Sequence, residues 1–557
     1  MMRRIETYGD INYAPPLGFS KVDVSSDRFN AAMQDIFWGS DPLLCVTGAG
    51  GCGKSVLLKM AAFKFGPRCL CIAPTGMAAQ NINTNVGEYG KVTAKTIHSA
   101  LGIPIAESDN IVKYPQRTSF QKANWQQLKD KSIPQKRMEI NTKGQCKKNE
   151  GDFYTAFAAE TEKVIAPRTL IVPDKAEFLH SPETNRKIAA ILKHVDLVLL
   201  DEVSMVSGNL FDYIMLQITN ASRMKGKLIR LVCFGDPLQL PPVVLDKKAD
   251  GTVPKNLEEQ QKMFFESRFW KALKPKVHVL NAIYRQKDGD FKEILNNIRK
   301  GIITDQEKEF VHQHLGPCEA KNLTIAPTNA LVNQYNQKEE EKLLKTNPKK
   351  FVFPYIIVSP QEPNSRIRLP EGFPGDITLY KGERIMCTKN ASDGAYRNGT
   401  TGILLGCKWE KRTIWRKKIY PKTVTESVRV DLPMAIIKRD DGKIVAVHAH
   451  EYGNESTSDS QELKIYQVPI VKAYAVTYHK SQGLTLTGLG MDTKALKGDG
   501  MFYLGLSRVK SADNLRITGE PDWNKVAPNP RAIAFVEECE AKAQEVCDST
   551  IVKKDSV

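Results

Sequence analysis

Eight consecutive residues, Gly48-Ala49-Gly50-Gly51-Cys52-Gly53-Lys54-Ser55, have the types and spacing of a loop that cradles phosphate. Glycines let successive backbone N–H groups turn inward around anionic oxygens, and a helix starting at the loop's end adds the positive pole of its dipole. Lys54 would reach the β- and γ-phosphates of a nucleoside triphosphate, and the Ser55 hydroxyl would ligate magnesium. The flanks agree: the apolar run Leu43–Val46 reads as a buried strand and Val56–Ala62 as a helix.

Hydrolysis needs a metal ligand and a base, and Asp201-Glu202 follows directly on the run Val195–Leu200, apolar but for Asp196. Two carboxylates at the C-terminal end of a strand buried on both faces enter the crevice where open α/β sheets bind ligands. Asp201 would hold the magnesium, directly or through water, and Glu202 would orient and deprotonate the attacking water. A further strand, Arg230–Phe234, runs into Gly235-Asp236-Pro237-Leu238-Gln239-Leu240-Pro241-Pro242, whose prolines fix an extended exit that could hold Gln239 toward the γ-phosphate. Gln34, upstream of the loop, reads either as an adenine contact through its two-sided amide or as a surface helix residue.

The elements that must position these groups belong to a chain of 557 residues, long enough for three or four domains. Its formal charge of +17 points to a polyanionic partner. Eleven cysteines lie without paired C-x-x-C spacing, against both a zinc site and a disulfide framework, so a reducing compartment is expected. No run reaches membrane-spanning length and no apolar leader follows Met1; the expectation is a soluble, intracellular protein without a membrane partner.

The ordered motifs resemble those of the Pif/RecD-like superfamily 1 (1B) helicases, from about Gln34 to Trp523. Pro74-Thr75-Gly76 and Thr96-Ile97-His98-Ser99 look like that family's early single-strand contacts; Asp201–Met205 and Gly235–Pro242 resemble its second and third motifs. Tyr284-Arg285-Gln286, Val476–Thr485 and Tyr503–Arg508 resemble the later ones. The resemblance implies an ATP-dependent DNA helicase with ATP and Mg2+ as cofactors, moving 5′ to 3′ on single-stranded DNA and opening duplex or forked DNA. It implies arginine fingers at Arg285 and Arg508, reaching the triphosphate from the second of two sheets. Nucleotide contacts would include Gly48, Gly50, Gly51, Gly53, Val56 and Gly483 beside Lys54 and Ser55. Strand contacts would be Pro74, Thr75, His98, Ser99, Asn329, His479, Lys480 and Ser481, although His98 and His479 read equally as core histidines without the motifs. A monomer is expected, with partners among replication or repair proteins. An RNA track, or translocation without unwinding, stays open.

The fold that the resemblance implies is α/β: two RecA-like P-loop NTPase domains in tandem with small inserted domains. The expected first domain is 28–103 with 190–272 and the second 273–396 with 468–523; 1–27 precedes them and 524–557 follows as a helix and frayed polar tail. The insertion at 104–189 would be a wedge or pin domain, its basic segment Lys113–Lys148 reading either as duplex-contacting surface or as a solvated insertion. The interval 397–467 would be an SH3-like β domain of short strands with a hairpin turn at Asp440-Asp441-Gly442. Its segment Lys408–Lys418 suits stacking and phosphate contact, or alternates core Trp with exposed Lys on a ribbon.

Overall fold

The computed structural model describes residues 27–554 apart from internal stretches, chiefly most of 102–187, 243–260, 359–372, 419–423 and 454–463. The chain divides into two units. One holds the residues up to Phe310 with Leu496–Ser511 and those from Pro521 onward; the other holds Val311–Ala495 with Ala512–Glu520.

In the first unit six strands form a parallel sheet, and the strands Leu43–Gly48, Leu197–Leu200 and Arg230–Gly235, built on continuous apolar runs, are its buried centre. The six are β1 (Leu43–Gly48), β2 (Cys69–Ala73), β3 (Ala94–Thr96), β4 (Leu197–Leu200), β5 (Arg230–Gly235) and β6 (Lys276–Leu280). Their spatial order is β6-β1-β5-β4-β2-β3, every pairing parallel. One apolar cluster packs Leu44, Val46, Leu199 and Val232 against helices α1 (Asp27–Trp38) and α2 (Lys54–Phe65). Another packs Leu43, Cys45, Val198 and Leu231 against α3 (Gly208–Lys225), so the apolar run Phe211–Ile218 becomes core helix. Since all six strands point one way, the segments after them leave from one edge of the sheet, which is what brings distant motifs together.

Strand β6 departs from the expected boundary at 272/273. It pairs with β1, Gly48 opposite Leu280, and therefore belongs to the first sheet. Helix α1 holds this edge strand: the Asp35 carboxylate takes hydrogen bonds from Lys276 Nζ at 2.6 Å and meets His278 Nε2 at 2.8 Å. Arg230 closes the C-terminal end of α1 by donating to the carbonyls of Asp35 and Ile36 at 2.7 and 2.8 Å. Helix α4 (Gly289–Arg299) follows, capped by Asp288, whose carboxylate accepts the N–H groups of Asp290 and Phe291.

The second unit starts its parallel sheet with β7 (Leu323–Ala326), leading through Thr328 as N-cap into α5 (Asn329–Leu344). The chain then builds an antiparallel sheet from β8 (Arg384–Cys387), β9 (Thr401–Lys418), β10 (Val424–Arg439), β11 (Ile444–His448) and β12 (Ile470–Lys472), in the order β11-β10-β9-β8-β12. It returns to the parallel sheet with β13 (Ala475–Thr477), β14 (Leu489–Asp492) and β15 (Leu515–Thr518), in the order β13-β7-β14-β15. The β-rich core spans Phe353 to Ile470, wider than 397–467. The short strands expected at Thr401–Leu405 and Ser427–Leu432 are parts of one long ribbon, β9 with β10, bulged between Leu404 and Gly406; the turn at Asp440–Gly442 is where expected. Strand alternation puts Ile414 and Leu432 inward, so Trp409 and Trp415 stand 52% and 62% exposed instead of forming core.

Helix α6 (Met501–Leu506) and helix α7 (Pro530–Lys554) belong to the first unit, where Phe535 of α7 stacks on Phe265. Helix α7 continues through most of the tail expected to fray. Of Lys113–Lys148 only the backbone of Lys113 and of Phe120–Ala123 is described, each in a two-stranded antiparallel pair; the rest, like 1–26, lies outside the described residues.

Hydrogen bonding from His278, resisted by burial and reinforced by Lys276, holds the Asp35 carboxyl at about 2. A depressed carboxyl stabilises the fold above its unfolded value near 3.8 and loses that contribution as pH falls toward 2. Asp35→Asn should cost about 1 kcal/mol at pH 7 after discounting for solvent screening. Urea unfolding of both proteins from pH 7 to pH 2 checks it: the gap should hold down to about pH 4 and close toward pH 2.

Candidate active site

The loop from Gly48 to Ser55 leaves β1 and enters α2. Gly51 has φ +86°, and a side chain's first carbon there would lie 2.5 Å from Arg285 Cβ, so a left-handed conformation and a close neighbour both require glycine. The neighbour is fixed in turn, since Tyr284 N–H donates to Gly51 O at 3.0 Å. Lys54 Nζ crosses the loop to Gly48 O at 2.6 Å and Ala49 O at 2.9 Å, which keeps the ammonium inside the curve of backbone amides. Ser55 is exposed beside it in the first turn of α2, and Val56 is half-buried, its N–H bonded to Gly53 O. Gln34 is exposed on α1.

Asp201 and Glu202 follow β4 as expected. The Asp201 carboxyl is pushed up to about 7 by burial and by the charge of Glu202 beside it, although Glu202 N–H donates to it at 2.9 Å. A divalent cation between Asp201 and Ser55 would offset both causes, so the donor set fits magnesium. Among the described residues no three His, Cys, Asp or Glu side chains gather into a metal cage, so such an ion would need phosphate oxygens and water to complete its shell. Glu202 sits at φ 51° and ψ 45°, a left-handed conformation that costs a non-glycine residue about 1–2 kcal/mol.

After β5, Asp236 forms a buried hub. Arg299, at the end of α4, grips it through Nη2 at 3.0 Å and Nε at 3.2 Å; Gln239 Nε2 donates at 3.3 Å and Tyr503 Oη at 3.2 Å. Burial alone would raise the Asp236 carboxyl, but Arg299, then Lys54, holds it below the ordinary carboxylate range. Tyr503 also accepts the N–H of Gly50 at 2.9 Å. The N-terminus of its helix sits so close to this loop that a first side-chain carbon at Gly500, φ +78°, would fall 2.2 Å from Leu238 O. The sequence reading singled out neither Asp236, Arg299 nor Tyr503. Asp236 and Tyr503 lie inside motifs already quoted, which was the available signal.

Arg285 and Arg508 were expected on the second sheet. Arg285 instead follows β6 of the first sheet, and Arg508 follows α6, which belongs to the first unit. Arg285 Nη1 donates to Ser507 O at 2.9 Å; Arg508 Nε donates to Leu504 O at 3.0 Å and its Nη2 to Ser507 Oγ at 2.7 Å. Burial, then the like charge of Arg285, pulls Arg508 down to about 9. Two crowded guanidinium groups held this way favour an anion of high charge.

Each unit aligns its strand-contact candidates at one edge. Ala73 is opposite Thr96, so Pro74 and Thr75 after β2 neighbour His98 and Ser99 after β3. Burial lowers His98, leaving it neutral near pH 7, and Thr75 Oγ1 caps the next helix by accepting Ala78 N–H. In the second unit Ala326 is opposite Thr477, so the segments carrying Asn329 and His479 follow neighbouring parallel strands. Lys480 is exposed, but Ser481 is buried, its hydroxyl donating to Tyr478 O at 2.7 Å. Gly483, a nucleotide contact by expectation, lies in the second unit at φ +78°.

The family model described as an AAA domain matches residues 36–245. The chain is 28% identical over 349 residues to the ATP-dependent DNA helicase Pif1 of Campylobacter jejuni, covering 59% of this chain and 71% of that one. It is 23% identical over 362 residues to the enzyme of that name from Bdellovibrio bacteriovorus, covering 64% and 73%. The fold is shared with the Pif1 helicase from Bacteroides crystallised with ADP-AlF3 and single-stranded DNA: TM-score 0.56 at 20% identity, covering 94% of this chain and 98% of that one.

Gly51→Ala should displace Arg285 and strain the loop, costing about 2 kcal/mol or more of stability and weakening nucleotide binding at least about tenfold. Thermal unfolding and titration with a fluorescent ATP analogue measure the two effects separately.

Proposed function

We propose that the chain is a Pif1-like superfamily 1B helicase, an ATP-dependent DNA helicase that moves 5′ to 3′ on single-stranded DNA and opens duplex DNA in replication, repair or recombination. The observation that carries this reading is the meeting, at one edge of one parallel sheet, of Lys54, Asp201, Glu202, Gln239, Arg285 and Arg508. Each supplies a separate requirement of phosphoryl transfer to water.

In this reading the N–H groups of Gly51 and Gly53 and the Lys54 ammonium hold the phosphates, Gly48 and Gly50 shape the loop around them, and Val56 and Gln34 line the rest of the nucleotide. Bound magnesium would supply charge neutralisation to the β- and γ-phosphates, held by Ser55 and, directly or through water, Asp201. Glu202 takes the proton of the attacking water, and its strained backbone fixes the carboxylate's direction in advance. Gln239 orients the γ-phosphate end. Arg285 and Arg508 neutralise the charge that builds on the transferring group, an effect worth about 10³–10⁵ in rate for an arginine supplied in this role. Pro74, Thr75, His98 and Ser99 on the first sheet, and Asn329, His479 and Lys480 on the second, contact the phosphates and sugars of the strand, and the net charge of +17 favours such a polyanion. Ser481 supports that contact by fixing the turn that carries His479 and Lys480.

Lys54→Ala should lower DNA-stimulated ATP hydrolysis at least about a hundredfold, while Glu202→Gln should still bind ATP and hydrolyse it about 10²–10⁴ times more slowly. Unwinding assays on duplexes carrying a 5′ tail, a 3′ tail or an RNA strand test direction and track. Opening only of the 5′-tailed DNA is expected; preference for the 3′ tail would reverse the polarity, and activity only on RNA would replace the DNA reading.

A further inference from the structure

Tyr503 is 2% exposed, yet its hydroxyl sits between two groups of opposite hydrogen-bonding demand. Gly50 N–H can only donate, and an ionised Asp236 can only accept. The phenol must therefore accept from Gly50 at 2.9 Å and donate to Asp236 Oδ2 at 3.2 Å. Burial, with Asp236 alongside, raises the phenol well above its ordinary value, so the proton that makes this donation stays in place. The same Oδ2 accepts Gln239 Nε2 at 3.3 Å, while Arg299 grips both carboxylate oxygens. The other end of the arrangement is equally fixed, because Gly500 packs on Leu238 O and Arg508 follows two residues after the end of the helix that carries Tyr503.

We infer that Tyr503 is a positioning residue whose hydroxyl joins the phosphate-binding loop to Gln239 through Asp236. Any shift of Gly50 as the loop grips phosphate is passed through one hydroxyl to the carboxylate that aims Gln239, and the helix bearing Tyr503 carries Arg508 with it. Loop, γ-phosphate contact and arginine thus respond as one body. The inference deepens the ATP-hydrolysis reading and rests on it.

Tyr503→Phe keeps the ring in its buried slot and removes only the oxygen. It should lower kcat for ATP hydrolysis about tenfold while changing KM less than about threefold. Gln239→Ala should then cost less in the Tyr503→Phe background than in the wild type, because the amide it removes is already misaimed. A Tyr503→Phe enzyme with wild-type kcat, or two substitutions whose effects simply multiply, would overturn the inference. Hydrogen exchange on the unmutated protein gives a readout independent of any variant's folding. The Gly50 amide should exchange at least about a hundredfold more slowly than a free peptide amide, and exchange at the free rate would also overturn the inference. Slow Gly50 exchange in a wild-type protein that hydrolyses no ATP would instead sink the helicase reading, leaving the contact itself in place.

Discussion

A carboxylate taken fully out of water must be compensated on every side, and Asp236 is compensated by groups from three parts of the sequence. Arg299 provides the charge, Gln239 and Tyr503 provide further hydrogen bonds, and Leu238 N–H approaches Oδ1 at 3.3 Å. Losing one partner of such a pair typically costs about 3–5 kcal/mol, because the other charge stays buried. The cost makes the arrangement unforgiving, and so Gln239, the loop amide of Gly50 and helix α6 are held to one geometry. Glu540 of α7 comes within 3.9 Å of Arg299, which adds the C-terminal helix to the same network.

Around this hub the site is charged but unevenly compensated. Asp201 and Glu202 crowd two acids at one strand end, and Arg285 and Arg508 crowd two guanidinium groups around Ser507. Each crowding disfavours charge where it stands, and each would be relieved by the opposite partner: a divalent cation for the acids, a triphosphate for the arginines. The backbone of Glu202 adds conformational strain at the residue that would handle the water's proton. Such stored cost is tolerable because the strands beneath are buried on both faces, giving the unit a large apolar core to offset it.

The phosphate loop, the Asp201–Glu202 strand end and the Gln239 turn were legible because each is local. Apolar runs announce the strands, and the chemistry follows within a few residues. The placement of β6 was not legible, since Lys276–Leu280 reads as a strand of either sheet and only its pairing with β1 decides. Arg299 gave no signal at all: a cation in the last turn of an amphipathic helix looks like a response to the helix dipole, whereas here it turns toward a buried acid 63 residues earlier in the chain. The long ribbon of β9 and β10 was read as separate pieces because exposed Trp and Lys interrupt the expected alternation.

The sequence by itself determined the candidate reactive groups and their place at the ends of apolar runs, and its net charge pointed to a polyanionic partner, all set by residue type and short-range spacing. Only the tertiary structure decided which sheet delivers Arg285, that Ser481 is buried, and that Gly50, Asp236, Gln239, Arg299 and Tyr503 form one hydrogen-bonded body. These facts depend on pairing register and on satisfying polar groups deep in a core. Both are settled by contacts between residues far apart in the chain, and no local pattern encodes them.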